Sequence, residues 1–234
     1  MFGKAPAAIR FLCAPEDDGV IAPPVPAKTA LPDWFRKLAP VDKEKLSTGD
    51  TGQTVKRCMP FLDAMTAGFV LPLAATVRLE IRDEGRTVEA GWDFDKPMVS
   101  NHGVHQVEGH PALPRPPCKF HNYWTIRTPP GWSCLFVPPL NRENPVFEPV
   151  AGIVDTDRYV APIHFPFFAR GADGLHVLEK GTPLVQVIPF RREPLAVEIR
   201  AEAPAEAADR DRVYRNTIAS TGWYRRFARA ERSA

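Results

Sequence analysis

The sequence predicts a single, mainly antiparallel β domain, and three observations support that prediction. Between residues 124 and 192, short apolar runs are separated by Pro, Gly, Asn and Asp, which is typical of short strands joined by tight turns. Residues 75–82 alternate apolar and charged side chains, and the turn Asp83-Glu-Gly-Arg separates them from a second strand-like segment, residues 88–94. The 26 prolines stand inside apolar runs, which favours rigid turns and strand ends over disorder.

Composition and charge exclude several classes of protein. The 234 residues are 44% hydrophobic and 25% charged, as in an ordinary globular chain. Thirty basic residues against 28 acidic ones leave a formal net charge of +2, so we expect no nucleic acid as the main partner. No apolar run reaches the roughly 18 to 20 residues that span a bilayer, and no secretory signal is recognisable, so we expect no membrane association.

The cysteines indicate the cellular compartment. Cys13, Cys58, Cys118 and Cys134 are widely spaced, and none belongs to a CxxC pair. This distribution fits reduced thiols better than a disulfide framework, so we predict a cytoplasmic protein.

Residues 1–54 form a predicted extended, proline-rich N-terminal arm. Residues 22–28 have the composition of polyproline-like backbone, and one or two helical turns are expected around Trp34 and Phe35, two aromatics predicted to insert into the core. Residues 41–54 are polar, and a surface loop is expected there.

Residues 55–200 form the predicted β-rich core domain, and residues 201–234 a C-terminal helix with a basic tail. At the start of the core, residues 58–68 are predicted to form a short helix, because Pro60 suits a first helical turn and Gly68 the position just past a helix end. Residues 98–121 are expected to be irregular.

Across nearly its whole length the sequence resembles a family of bacterial and phage proteins to which we can attach no activity. The stretches that carry the resemblance are Ala27-Lys-Thr-Ala-Leu-Pro-Asp-Trp-Phe, Val55-Lys-Arg-Cys-Met-Pro-Phe-Leu-Asp-Ala-Met-Thr-Ala-Gly, Thr128-Pro-Pro-Gly-Trp-Ser-Cys-Leu-Phe and Gly181-Thr-Pro-Leu-Val-Gln-Val-Ile-Pro-Phe-Arg-Arg-Glu.

Residues 129–189 also resemble part of the β-clip fold of the trimeric dUTP pyrophosphatases and dCTP deaminases. Pro130-Gly-Trp is similar to the turn that enters a strand, Gly152-Ile-Val-Asp to the hairpin whose Asp positions the attacking water, and Glu179-Lys-Gly-Thr-Pro-Leu-Val-Gln to the closing strand. The phosphate-binding motif Arg-Ser-Gly-Leu-Ala is missing, and Pro138-Pro-Leu-Asn-Arg stands in its place. The resemblance therefore implies a β-clip-like or small barrel fold more than it implies nucleotidase chemistry.

The strongest candidate catalytic residues are Asp155, Asp157 and Tyr159. They alternate along the chain, so on extended backbone their side chains would share one face and could bind a polyol, a sugar or a divalent cation. The alternative is a polar turn in which the aspartates cap nearby N–H groups.

Five further residues are candidate ligand contacts: Asn141, Arg142, His164, Gln186 and Trp132. Aromatic walls with a few converging polar groups are how small-molecule sites are built. The alternatives are that His164 is a satisfied core histidine, that Trp132 belongs to the core, and that Gln186 makes a structural hydrogen bond within an apolar strand.

His102, His105, His110 and His121 are candidate metal ligands. With Glu108 and Cys118 they follow the spacing H-x2-H-x2-E-x-H-x7-C-x2-H, and imidazole with thiolate suits a divalent metal, Zn or Fe. The alternative is a loop whose imidazoles bond to backbone.

Three functions remain open from the sequence. The first is a small-molecule-binding or hydrolytic β domain, and the second is a metal-dependent enzyme that uses the His102 to His121 loop. The third is a non-catalytic assembly protein, in which the arm and the Arg-rich tail contact partners and the chain forms a homo-oligomer.

Overall fold

A computed structural model describes residues 7–231, so the first six residues of the predicted arm and the last three of the predicted tail lie outside the described residues. The described residues contain sixteen strands and three α-helices. The strands are β1 Arg10–Leu12, β2 Val25–Pro26, β3 Val41–Leu46, β4 Thr51–Gln53, β5 Phe69–Pro72, β6 Val77–Arg82, β7 Thr87–Trp92, β8 Val99–Asn101, β9 Pro117–Phe120, β10 Thr125–Arg127, β11 Trp132–Val137, β12 Phe147–Pro149, β13 Gly152–Val154, β14 Phe165–Ala169, β15 Gly174–Leu178 and β16 Pro183–Arg191. The helices are α1 Asp33–Lys37, α2 Met59–Thr66 and α3 Pro204–Ala219.

The chain divides into two compact units. Unit 1 comprises the described part of Met1–Arg36 together with Asp63–Glu193. Unit 2 comprises Lys37–Leu62 and the described part of Pro194–Ala234. The polar segment before α2 and the C-terminal segment, which are distant in sequence, thus form one unit. The domain boundaries at 54 and 200 stay a prediction.

Unit 1 is built from antiparallel sheets. A five-stranded sheet has the order β13-β11-β16-β5-β2, a four-stranded sheet β12-β14-β9-β8 and a three-stranded sheet β15-β6-β7, while β1 pairs with β10. Every strand pair is antiparallel, and none of the sheets among the described residues closes into a barrel. The predicted mainly antiparallel β fold is therefore confirmed, and of its two forms a β-clip-like sandwich fits better than a barrel.

The β6–β7 hairpin follows the predicted alternation. Val77, Leu79 and Ile81 are completely buried in the core. Asp83 and Glu84 take φ values of 56° and 58°, the left-handed region that a tight hairpin turn requires. The apolar face of this hairpin thus points inward because the side-chain period of a strand is two.

Aromatic packing joins three strands of the four-stranded sheet. The Phe120 and Phe167 rings stack with centroids 3.9 Å apart, and Phe147 meets Phe120 edge to face at 5.0 Å. All three side chains are almost completely buried. Aromatic pairs of this kind contribute about 0.5 to 1.5 kcal/mol each beyond the area they bury, so they fix the mutual position of β9, β12 and β14.

The predicted short helix is confirmed as α2, and Gly68 terminates it. Gly68 has φ +64°, and a Cβ at this position would come within 2.0 Å of the Val187 carbonyl oxygen in β16. Only glycine fits here, because the chain must both turn left-handed and pass directly over the neighbouring strand.

Two expectations about the N-terminal half are wrong. Phe35 in α1 is buried, whereas Trp34 is 48% exposed, so only one of the two aromatics enters the core. A five-residue helix of this kind turns adjacent side chains about 100° apart, and both cannot face the same side. The predicted loop at residues 41–54 contains the β3–β4 hairpin, which the sequence did not reveal because its side chains are mostly polar on both faces.

The segment 98–121, expected to be irregular, contains two short strands. β8 and β9 pair antiparallel, and β9 also pairs with β14. Their apolar positions are too few for a sequence pattern, so their pairing with β14 decides their conformation.

Unit 2 consists of the β3–β4 hairpin, the α2 N-terminus and the predicted C-terminal helix α3. The N–H of Ala203 donates to the Glu206 carboxylate at 2.7 Å, and Arg200 also bonds that carboxylate at 2.6 Å. These bonds, the Arg200 bond first, lower the pKa of Glu206 to about 2. Nowhere between residues 7 and 231 does a helix combine the length and the apolar character needed to cross a bilayer.

Candidate functional site

Asp155 and Asp157 lie in the turn that follows β13. The Asp155 carbonyl oxygen accepts the N–H groups of Arg158 at 2.9 Å and Tyr159 at 2.8 Å, which closes the turn. Thr156, between the two acids, is buried, and its hydroxyl lies 2.7 Å from the Thr128 hydroxyl. The two acids that flank Thr156 differ in exposure: the Asp155 side chain is 54% exposed and that of Asp157 only 6%.

Arg192, directly after β16, joins the two carboxylates. Its guanidinium donates to Asp155 Oδ1 at 3.1 Å and to both oxygens of Asp157, at 2.9 and 2.5 Å. It also bonds the Trp132 carbonyl and the Ser133 hydroxyl, both at 2.8 Å. The predicted convergence of the aspartates therefore occurs, but on an arginine of the same chain.

Asp157 is bonded in the way the capping alternative predicts. Its carboxylate accepts the Gly131 N–H at 2.8 Å, and only 6% of its side chain is exposed. The bonds from Arg192 first, and from the Gly131 N–H, lower the pKa of Asp157 to about 2. A carboxylate with both oxygens used in this way holds the β11–β16 sheet end to the turn and is poorly placed to bind a ligand.

Asp155 remains more accessible than Asp157. Its side chain is 54% exposed, and Oδ1 accepts the buried Ser133 hydroxyl at 2.7 Å. The Tyr159 side chain is exposed and extends from the same turn. Ser133, bonded to an acid and to Arg192, has no base in this arrangement, so the cluster does not resemble a nucleophilic triad.

Gln186 has its polar atoms fully used inside unit 1. Its side chain is 1% exposed, and Oε1 accepts the Leu140 N–H at 2.9 Å. Its Nε2 donates to the carbonyls of Ala64 at 2.8 Å and Ala67 at 2.7 Å. These carbonyls belong to the end of α2, where a helix lacks internal partners. The structural alternative for Gln186 is therefore the one observed.

A cleft of about 690 Å³ lies beside the loop that Gln186 anchors. We call it the loop cleft; it is lined by residues 137–144 and 147–149, with Arg170, Thr182 and Pro183. Its apolar wall residues are Val137, Leu140, Phe147 and four prolines. Its polar groups come from Asn141, Arg142, Glu143, Asn144, Glu148, Arg170 and Thr182. Glu148 pairs with Arg170.

Of the five predicted ligand contacts, Asn141 and Arg142 line the loop cleft. Asn141 takes φ 56°, which turns the loop sharply. Arg142 is half-buried and donates to the Ala30 carbonyl, and burial lowers its pKa. No carboxylate of the described residues forms an ion pair with it. Trp132 lies elsewhere, with the Arg191 guanidinium carbon 5.7 Å from its ring centre.

His164 and His121 form a pair of their own. Their rings lie 4.6 Å apart, the Asn122 N–H donates to His164 Nδ1 at 3.2 Å, and His121 Nε2 lies 2.9 Å from the Ser100 hydroxyl. Partial burial first, then the neighbouring positive charges, including Lys119, lower the pKa of both imidazoles. Both rings are therefore neutral at pH 7.

The other predicted metal ligands are dispersed. His110 stacks on Phe168 at 4.7 Å and accepts the Ala112 N–H at 3.1 Å, while His105 folds over Gly103. Nε2 of His102 is buried without a hydrogen-bond partner among the described residues. Within residues 7–231, no group of three or more His, Cys, Asp or Glu side chains could hold a metal ion. The predicted Zn or Fe has no coordinating set there.

The sequence did not identify three residues whose ion pairs shape the candidate sites. Arg192 was visible only as one residue of an Arg-Arg pair, and nothing in the sequence marks it as the partner of acids 35 and 37 residues away. Glu148 and Arg170 pair across β12 and β14, which a cross-strand charge rule finds once the register is known.

Comparison with known proteins does not assign the chain to a family. No protein-family model matches the sequence, and no curated protein matches it significantly.

Proposed function

We propose that unit 1 is a small-molecule-binding β domain and that the loop cleft is its site. The observation that carries this proposal is a cleft of about 690 Å³ whose wall combines apolar and polar residues in equal number. That volume lies within the range of roughly 300 to 1,000 Å³ typical of small-molecule sites.

Arg142 is the residue expected to orient the ligand. It is half-buried, its one hydrogen bond goes to a backbone carbonyl, and none of the described acids pairs with it. A guanidinium with remaining donors at the wall of a cleft binds a carboxylate, a phosphate or a sugar hydroxyl. Arg170 is less suited because Glu148 already pairs with it.

Binding is favoured here over hydrolysis. Asp155, Asp157 and Tyr159, the predicted catalytic residues, do not line the loop cleft. Asp157 in addition uses both oxygens in bonds to Arg192 and Gly131. The hydrolytic form of the prediction would need a water and a substrate at Asp155, beside Ser133.

Two predictions from the sequence accord with this proposal. Residues 138–142 of the loop stand where the dUTP pyrophosphatases carry their phosphate-binding motif, so a ligand at this loop fits the resemblance. Cys13, Cys58, Cys118 and Cys134 are all free thiols, which supports the cytoplasmic location that we retain in the proposal.

Thermal-shift screening with nucleotides, sugars and small carboxylates tests the proposal. We expect one class to raise the melting temperature, and Arg142→Met to weaken its binding by about tenfold or more, the loss of one charge-assisted hydrogen bond. Because Arg142→Met also removes the bond to Ala30, Thr182→Val is a second variant in the cleft wall. Arg127→Met, an exposed arginine of unit 1, is the matched control.

Two results would end this proposal. The first is a screen in which none of these classes shifts the melting temperature of the wild-type chain. The second is a bound ligand whose affinity changes equally in Arg142→Met and Arg127→Met, since a uniform change reports only net charge.

A further inference from the structure

Residues 194–200, which connect β16 to α3, form an extended segment outside any sheet. We call it the connecting segment; it reads Pro-Leu-Ala-Val-Glu-Ile-Arg and has no regular secondary structure. Large apolar side chains alternate with small or charged ones, as in a strand that buries one face. Yet Leu195, Val197 and Ile199 are 82 to 93% exposed, more than any other large apolar side chain between residues 7 and 231. Contiguous apolar side chains in water mark an interaction surface.

The backbone of the connecting segment is also available for pairing. Within the part of the chain that the structure describes, the N–H and C=O groups from Leu195 to Ile199 form no hydrogen bonds with protein groups. A strand placed alongside the segment would bond these groups in a regular ladder. The side-chain pattern and the backbone therefore both favour addition to a sheet edge.

β15 provides a sheet edge of matching character. It pairs with β6 on one side, and no strand of the described residues pairs with its other side. Leu175 and Val177 are exposed, on the face opposite the buried Leu178. The strand contains no charged residue, no proline and no bulge, which are the features that commonly prevent strand addition at an edge.

The connecting segment and β15 match in one antiparallel register. When Val197 lies opposite Val177, Ile199 lies opposite Leu175, and the four apolar side chains share one face. The same spacing of two residues in both elements produces this match. The two elements are therefore complementary in length and in apolar pattern.

Charge selects this register over its neighbours. In it, the Glu198 carboxylate lies opposite the His176 imidazole. A shift of two residues in one direction places Glu193 opposite Glu179, and like charges directly opposite each other destabilise a strand pair. A shift in the other direction places Glu198 opposite the buried Leu178.

We propose that two copies of this chain form a dimer in which the connecting segment of each copy adds to β15 of the other. Both complementary elements belong to the same chain, so a second copy supplies each with its partner. A two-fold axis repeats the contact and closes the assembly at two copies. Each pairing covers five exposed apolar side chains. The proposal does not rest on the function proposed for the loop cleft.

Sedimentation equilibrium of the full chain tests the association. At about 100 μM chain we expect a particle of twice the chain mass of 26.0 kDa, because an interface of two short strand pairs is at the small end of stable ones. A chain that remains monomeric at this concentration would overturn the proposal.

Val197→Lys tests the residues of the interface. The side chain is exposed in the single chain, so the substitution leaves the folded core intact and places a charge in the centre of the apolar pairing. We expect the dissociation constant of the dimer to rise at least about tenfold. Ile153→Lys, the same change at an exposed position of the edge strand β13, should change it less than about twofold. Equal weakening by the two variants would contradict the assignment.

A compensating substitution tests which residues face each other. Val177→Glu alone should weaken the dimer as Val197→Lys does. A chain that carries both substitutions should dimerise about fivefold more tightly than either single variant, because each dimer contains the new opposite-charge pair twice. A double variant that associates no more tightly than the single variants would refute the proposed pairing.

Cysteine cross-linking distinguishes pairing between copies from pairing within one chain. In a background of Cys13→Ser and Cys58→Ser, a protein with Ile199→Cys is mixed with one that carries Leu175→Cys, so a disulfide between the two positions joins two copies. We expect mild oxidation to join them at least about tenfold faster than it joins Leu195→Cys with Leu175→Cys, because an offset of four residues is about 13 Å and exceeds the reach of a disulfide. Equal rates for the two mixtures would overturn the register and the proposal with it.

Discussion

Replacement of Gln186 by methionine tests how the loop cleft is held in place. The two side chains have similar length, so the substitution removes hydrogen bonds without opening a large cavity. Three backbone groups lose their partner: the Leu140 N–H and the carbonyls of Ala64 and Ala67. Gln186 is 1% exposed, so water has no direct access to replace it.

The expected cost follows from those three groups. A buried backbone group that loses its partner costs about 1 to 1.5 kcal/mol at the low end of the usual range, so three cost about 3 to 4.5 kcal/mol. Methionine buries more apolar surface than glutamine, which offsets about 1 kcal/mol. The free energy of unfolding should therefore fall by about 2 to 3.5 kcal/mol, equivalent to roughly 4 to 14 °C in melting temperature for a unit of this size.

Differential scanning calorimetry measures the change in the stability of the protein. Hydrogen exchange of the Leu140 amide measures the loss of protection at the loop itself. Gln106→Met, at an exposed position, should change stability by less than about 0.5 kcal/mol. A Gln186→Met protein that melts within about 2 °C of the wild type, with the Leu140 amide still protected, would show that these bonds do not anchor the loop.

Two further predictions concern pH. Asp157 has a pKa of about 2, against about 3.9 in an unfolded chain, so its stabilising contribution is present above the unfolded value and is lost as the pH falls through 2. Urea unfolding of wild type and Asp157→Asn should therefore differ by a constant amount between pH 7 and about pH 5 and converge near pH 2; a gap that persists at pH 2 would disprove the assignment. His164 has a lowered pKa, so the folded state resists its protonation, and stability declines as the pH falls below about 6.5. His164→Gln should flatten the decline in unfolding midpoint between pH 7 and pH 5, whereas the exposed His105→Gln should not, and equal slopes in the two variants would contradict this reasoning.

Much of the fold was predictable because strand and helix signals are local. The β6–β7 hairpin can be predicted from alternating side chains and a turn that accepts positive φ, and both features depend only on consecutive residues. The end of α2 is equally local, since Gly68 marks it. In contrast, the side chains of β3 and β4 are polar on both faces. These strands therefore lack the alternation of apolar and polar residues by which a strand is predicted from sequence.

The site was harder to predict, because its partners meet across long sequence separations. The sequence grouped Asp155 and Asp157 in one candidate site, but it could not reveal that Arg192 lies between them. The same holds for Gln186, whose three partners lie on two different segments. A polar residue in an apolar strand indicates that the residue has a hydrogen-bonding partner, but it does not identify that partner.

The sequence by itself determined the antiparallel β class, the α2 and α3 helices and the capping role open to the aspartates, since each depends on side-chain period and turn chemistry within a few residues. Only the tertiary structure decided the two units and the loop cleft. Each of these is a place where distant segments come together, and the register and packing that bring them together depend on the whole chain rather than on any one stretch of it.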